Sequence, residues 1–149
     1  MTGNEYQKLA MRTNDGKACY RVVSKVLTCD GEKELTCDDE RLEWLLNRTI
    51  SGKGAMIDVG GILNGCLGLA GESGETLDMI KKWVFHEKEL DKEHLKKEIG
   101  DVMWYVAMIC ESAGFDLDDV MQTNVDKLKS RYPEGFDTYL ANHRKEGDI

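Results

Sequence analysis

Hydrophobic residues recur at every third or fourth position along most of this 149-residue chain, which is the spacing of amphipathic α-helices. Helices are predicted over about residues 4–13, 40–50, 56–84, 92–113 and 116–131. Gly114 and Pro133 follow the last two as stop signals, whereas residues 17–35 fit either a short helix or a strand. The pattern therefore indicates an all-α fold, a helical bundle of four to five helices.

Each of the two long helices carries an apolar stripe beside a stripe with acidic residues. In the first, the acidic stripe reads Gly61, Gly65, Gly68, Glu72 and Glu75. The glycines leave a groove wide enough for a helix backbone or a flat ligand, and Asn64 could add polar contacts there. In the second, Glu98 and Asp101 precede a run over 102–109 that is apolar or aromatic throughout. Such a run is buried on most sides, so these acids are expected where the helix enters the interior.

The apolar positions on both sides of the two long helices exceed what one short bundle can bury. We therefore expect oligomerisation to complete the bundle, as a homodimer or a tetramer. The length and composition of the chain, with 41% hydrophobic and 32% charged residues, fit a single domain over residues 1–149.

Net charge, hydropathy and cysteine usage indicate which partners and which cellular compartment to expect. A net charge of −8 argues against a broad surface for nucleic acid or acidic membranes. No apolar run reaches the roughly 18 residues of a membrane helix, and the polar N-terminus lacks a signal-peptide pattern. Five cysteines without a Cys-x-x-Cys pair are typical of free thiols. We expect a cytoplasmic protein with no nucleic-acid and no membrane partner.

Two pairs of acids indicate the chemistry, because each pair shares one helix face. Glu72 and Glu75 are three residues apart, and so are Glu98 and Asp101. Four carboxylates brought together need cations, and oxygen ligands suit Mg²⁺, with Mn²⁺ as a substitute. A bound Mg²⁺ would neutralise a polyphosphate and lower the pKa of a water molecule. The pairs therefore favour metal-assisted hydrolysis of a phosphoanhydride.

Other residues supply candidates for substrate contacts and also have ordinary explanations. Basic candidates for the phosphates are Lys81, Lys82, Lys127 and Arg131. Aromatic candidates for stacking on a base are Trp83, Trp104 and Tyr105. Basic helix ends and core tryptophans are commoner roles for these residue types, and single acid pairs are common on solvated helices. A di-iron bundle is disfavoured, because Glu-x-x-His does not occur in the chain.

Three segments carry a family resemblance: GLAGESGETLDMIKK, KKEIGDVMWYVAMI and GFDLDDVMQTNVDKLKSRYPEGF. Over about residues 60–137 the chain resembles a MazG-type nucleotide pyrophosphohydrolase of the all-α NTP pyrophosphatase superfamily. The resemblance implies an oligomeric helical bundle that binds Mg²⁺ and cleaves nucleoside triphosphates to the monophosphate and pyrophosphate. We divide the chain accordingly into an N-terminal helix plus variable insertion (1–55), a MazG-like core (56–137) and a polar tail (138–149).

The resemblance also implies roles for individual residues. The metal ligands and catalytic residues would be Glu72, Glu75, Glu98 and Asp101. Tyr105, Asn124 and Lys127 match substrate contacts, with Lys82 a weaker match, and position adds Asn64 and Arg131 to this set. Many members have a second glutamate directly after the first, where this chain has Ser73. The general base is therefore sought at Glu75 or Asp78.

Two other functions stay open from the sequence. One is phosphoribosyl-ATP pyrophosphohydrolase activity, which belongs to the same superfamily. The other is a non-catalytic helical module that binds a nucleotide or a protein partner. The complete set of four carboxylates argues against the second, because a protein without activity would be free to lose those charges.

Overall fold

The computed structural model describes residues 1–18 and 57–143, and the regular elements within these ranges are all helical. The elements are α1 (Gly3–Ala10), a 3₁₀ turn (Met11–Thr13), α2 (Val59–Phe85), α3 (Lys92–Ala113), α4 (Leu117–Arg131) and α5 (Thr138–Asn142). The predicted all-α fold is confirmed. The helix predicted over 40–50 and the ambiguous stretch 17–35 fall on or extend into residues outside the described ranges.

Local capping explains where the long helices begin and end. The Asp58 side chain accepts a 2.8 Å hydrogen bond from the Gly61 backbone N–H, so α2 begins at Val59 rather than at 56. The Asp91 side chain accepts hydrogen bonds from the first turn of α3. Gly114 ends α3 with a φ of 73°, a left-handed conformation that suits glycine. The bounds of α3 agree with those predicted.

The polar tail begins with a helical turn that hydrophobic spacing did not predict. Asp137 caps α5 by accepting a 2.8 Å hydrogen bond from the Leu140 backbone N–H. The ring of Tyr139 stacks on that of His143, with centroids 4.1 Å apart. Five residues are too few to show a helical period, so the capping aspartate was the available signal.

α2 and α3 pack antiparallel, and the glycines of α2 set how closely they approach. A Cβ placed at Gly65 would lie 2.6 Å from Ile109 Cγ1, and one at Gly68 would overlap the Tyr105 ring. A Cβ at Gly61 would likewise overlap the Ser112 hydroxyl. The predicted groove beside these three glycines is therefore filled by α3 and not by a ligand.

α1 packs against the connection between α3 and α4 and is held there by polar contacts. The buried Gln7 side chain donates to Glu111 Oε2 at 3.0 Å and to the Phe115 carbonyl at 3.1 Å. Its Oε1 accepts the Leu117 backbone N–H at 2.9 Å. Asp118 Oδ1 accepts the N–H of Gly3, at 2.6 Å. A buried amide with all these partners satisfied holds α1 in one position.

The apolar stripe of α2 is exposed in the single chain. Leu63, Leu67 and Leu77 keep 45%, 66% and 69% of their surface accessible, and Cys66 is exposed as well. α4 also presents exposed apolar residues, namely Val120, Met121, Val125 and Leu128. No helix within the described ranges is long and apolar enough to cross a membrane.

Candidate metal centre

Three of the four predicted acids meet where α2 packs against α3. Glu72 of α2 and Glu98 and Asp101 of α3 each bring a carboxylate oxygen within 4.8 Å of the other two. Glu98 is half-buried, as expected for an acid where α3 enters the interior, and so is Glu72 of α2. The same expectation was wrong for Asp101, which is exposed. The cluster exists because both acidic stripes face each other across the glycine-lined contact.

Burial and repulsion between neighbouring carboxylates disfavour the ionised form of Glu72. The pKa of Glu72 is raised, first by burial and then by the charges of Asp101, Glu98 and Glu75. A hydrogen bond between the carboxyl groups of Glu72 and Glu98 acts in the same direction. A divalent cation would relieve this repulsion. Three oxygen donors, with no sulfur or nitrogen among them, fit a hard ion such as Mg²⁺ or Mn²⁺.

Glu98 has a partner on its own helix. His94 Nε2 lies 2.8 Å from Glu98 Oε1, one helical turn away. Such a contact restrains the orientation of the Glu98 carboxylate within the cluster. The His94 side chain itself is exposed, with 56% of its surface accessible. Its i, i+4 spacing to Glu98 on the acidic stripe was the signal for this role.

A cavity of about 270 Å³ opens beside the cluster and is lined by Glu72, Asp101, Trp104 and Tyr105. The Trp104 and Tyr105 rings meet edge to face, with centroids 4.9 Å apart and planes at 86°. No Lys or Arg of the described residues lines this cavity. Its walls thus combine acids that can hold a cation with aromatic surface that can contact a base.

Glu75, the fourth predicted ligand, lies outside the cluster. It is exposed, and its charge still contributes to the raised pKa of Glu72. Asp78 forms ion pairs with Lys81, at 2.5 Å, and with Lys82, and these lower its pKa to about 2. Ser73, which stands where many relatives have glutamate, donates a 2.6 Å hydrogen bond to the Leu69 carbonyl.

Of the residues predicted to contact substrate, Trp104 and Tyr105 line the cavity. Asn64 Nδ2 contacts Met108 Sδ at 3.5 Å, two glycine-bearing turns away from the acids. Lys82 is paired with Asp78. The α4 candidates lie elsewhere on the surface of the single chain: Asn124 and Lys127 are exposed, and the Arg131 guanidinium lies 6.0 Å from the Tyr132 ring centroid.

α1 reaches the same end of α3. The Tyr6 hydroxyl donates to the Gly100 carbonyl at 3.4 Å, a long hydrogen bond. The pKa of Tyr6 is raised, first by burial and then by the charge of Asp101. The Trp104 indole N–H also contacts this N-terminal segment. These contacts join residues about ninety positions apart, so no local sequence pattern predicts them.

Comparison with known proteins adds to this geometry. A family model described as the MazG nucleotide pyrophosphohydrolase domain matches residues 63–136, which include Glu72, Glu75, Glu98 and Asp101. The gene 37 protein of Mycobacterium phage L5 is 35% identical over 89 residues, covering 56% of this chain and 77% of that protein. No solved structure matches the chain.

Proposed function

The chain belongs to the MazG nucleotide pyrophosphohydrolase family, and we propose that it is a Mg²⁺-dependent nucleoside triphosphate pyrophosphohydrolase. It would cleave (d)NTPs to (d)NMPs and pyrophosphate, in nucleotide house-cleaning or in control of a nucleotide pool. The observation that carries the proposal is the convergence of Glu72, Glu98 and Asp101 beside a cavity with an aromatic wall. Carboxylates suit the cation of a metal–polyphosphate complex, and the rings suit its base.

In this proposal the three clustered carboxylates hold the ion, and His94 orients Glu98. The ion would supply positive charge against the triphosphate and acidify a water molecule. The protein in turn fixes the ligand geometry and, through Trp104 and Tyr105, positions the base. Mn²⁺ would substitute for Mg²⁺, because both accept the same oxygen ligands.

Glu75 is the better of the two candidates for the general base. A base must accept a proton near neutral pH, and the two lysine partners of Asp78 hold its pKa at about 2. Glu75 is exposed, outside the ligand cluster and one turn from Glu72. We expect Glu75→Gln to lower kcat much more than Asp78→Asn while Mn²⁺ binding is retained in both variants.

We propose that the chain also self-associates, as a homodimer or tetramer, through its exposed apolar stripes. Asn124, Lys127 and Arg131 stay proposed substrate contacts. Because α4 does not line the cavity of a single chain, we propose that these residues reach the phosphates from a second copy. The exposed Met121, Val125 and Leu128 share that helix and would be covered in the same contact.

The direct test is pyrophosphate release from a panel of canonical, deoxy and modified nucleoside triphosphates with Mg²⁺. Glu98→Gln should abolish turnover, whereas Glu93→Gln, an exposed acid on the same helix, should retain it. Silence across the panel from a folded protein would overturn the proposal. Turnover of phosphoribosyl-ATP alone would then identify the related pyrophosphohydrolase, and nucleotide binding without turnover would identify a non-catalytic module.

A further inference from the structure

The N-terminal segment contacts the candidate nucleotide site although it lies outside the region matched by the family model. The Trp104 indole N–H points to two acceptors there, the Thr13 hydroxyl at 2.9 Å and the Ala10 carbonyl at 3.1 Å. The Thr13 hydroxyl itself donates to the Ala10 carbonyl at 2.9 Å. The three groups therefore form a triangular hydrogen-bond network. In it the Thr13 hydroxyl accepts from the indole N–H and donates to the Ala10 carbonyl.

This network fixes the orientation of the indole ring. A tryptophan side chain rotates about two bonds, χ1 and χ2. A hydrogen bond that holds the indole N–H at a defined point restricts rotation about both. The fixed indole in turn meets Tyr105 edge to face, and the Tyr105 ring covers Gly68 of α2. The aromatic wall of the cavity is thus held from two sides, by the 3₁₀ turn and by α2.

We infer that the 3₁₀ turn after α1 is part of the nucleotide site and that Thr13 is a positioning residue, holding the Trp104 indole against the base of the substrate. This rests on the proposed function for the identity of the ligand. Thr13 acts through Trp104 and does not line the cavity itself. The inference assigns base contact to the aromatic wall, and leaves the phosphate end to the carboxylates and their cation.

Thr13→Val tests the inference, because it removes the hydroxyl and keeps the size and branching of the side chain. We expect KM for nucleoside triphosphates to rise about threefold to tenfold, the effect of one lost hydrogen bond, with kcat nearly unchanged. Thr13→Ser keeps the hydroxyl and should restore the wild-type KM. Inorganic tripolyphosphate, which has no base, should inhibit the wild type and Thr13→Val equally.

A double-mutant cycle separates positioning from simple destabilisation. Trp104→Phe keeps an aromatic ring and lacks the N–H, so Thr13→Val should change KM little further in that background. Thr2→Val is the matched control, because it removes a cap hydrogen bond from α1, the helix before the 3₁₀ turn. In that bond the Glu5 N–H donates to Thr2 Oγ1 at 3.1 Å, far from Trp104. It should lower Tm without changing KM. An additive cycle, or an equal rise in KM from Thr2→Val, would overturn the inference.

Failure of the proposed reaction is distinguishable from failure of this inference. If the wild type releases no pyrophosphate, the proposed reaction fails. The same variants are then compared by calorimetric binding of an α,β-imido nucleoside triphosphate in the presence of Mn²⁺. A Kd that rises threefold to tenfold in Thr13→Val and stays at the wild-type value in Thr13→Ser and Thr2→Val would support the positioning role. A wild type that binds no analogue, or an unchanged Kd in Thr13→Val, would overturn it.

Discussion

The two faces of α2 differ in a way that reverses the usual relation between hydrophobicity and burial. The face with glycines and acids packs against α3, whereas the face with Leu63, Leu67 and Leu77 is exposed in the single chain. Close approach explains the first, because a face without side chains lets another helix backbone come near. A continuous apolar stripe on the surface is typical of a contact with another surface. We therefore propose that the inner face holds the metal site and that the outer face forms the contact between copies.

The largest expected difference between the faces concerns metal binding. Glu72→Gln replaces an inner-face carboxylate with a neutral amide of the same shape, so it should weaken Mn²⁺ affinity by at least about 10-fold to 100-fold, the cost of losing even an outer partner of a ligand. Leu67→Gln on the outer face should leave the affinity unchanged. Calorimetry of Mn²⁺ binding measures both. Equal losses in the two variants would refute the division of roles.

Assembly should show the opposite dependence. Leu67→Gln puts a polar side chain into the proposed contact and should raise the dissociation constant of the oligomer about tenfold or more, as for a central interface residue. Glu72→Gln should leave the assembly intact. Light scattering across a concentration series reports the mass of each variant. A wild type that is monomeric at micromolar concentration would contradict the proposed role of the outer face.

Two glycines of α2 allow a sharper test of close packing. Gly68→Ala should destabilise the protein by about 1–2 kcal/mol net, because overlap with Tyr105 outweighs the roughly 1 kcal/mol gain in helix propensity. At Gly71 an added Cβ meets open space, so Gly71→Ala should stabilise by up to about 1 kcal/mol. Urea unfolding measures both changes. A stabilising Gly68→Ala would show that α2 and α3 can separate without cost.

The smallest expected effect is a dependence of stability on pH. The pKa of Glu72 is raised above its ordinary 4.5, so the folded metal-free protein binds a proton more tightly there than the unfolded chain does. The free energy of unfolding should therefore increase as the pH falls from 7 towards that pKa. Asp78, with its pKa lowered to about 2, works in the opposite direction only below about pH 4, outside this window.

The measurement is the Tm of chelator-treated protein at pH 7 and pH 5.5, for the wild type and for Glu72→Gln. The difference between the two proteins isolates the contribution of Glu72 from that of the other titrating groups. The wild type should gain more stability on acidification than the variant does. Identical pH profiles would mean that the cluster does not strain the metal-free fold.

Local interactions made most of the helices predictable. A helix is held by contacts within four residues, so hydrophobic spacing and the stop signal at Gly114 predicted the bounds of α3. The acids were predictable as pairs for the same reason, since residues three apart share a face. The family was also recognisable in the sequence, because its motifs lie in short continuous segments that the family model matches as well.

Contacts between distant residues were decided by the tertiary structure alone. Both stripes of α2 have helical spacing, and the steric fit of its glycines to side chains of α3 selects the acidic stripe for the inner face. That choice gathers Glu72 with the acids of α3 and leaves Glu75 outside. The hydrogen bond from Trp104 to Thr13 joins residues 91 positions apart. The sequence by itself thus determined the helices and the acidic pairs on their faces. Packing determined which side chains meet, because that depends on shape complementarity between distant parts of the chain.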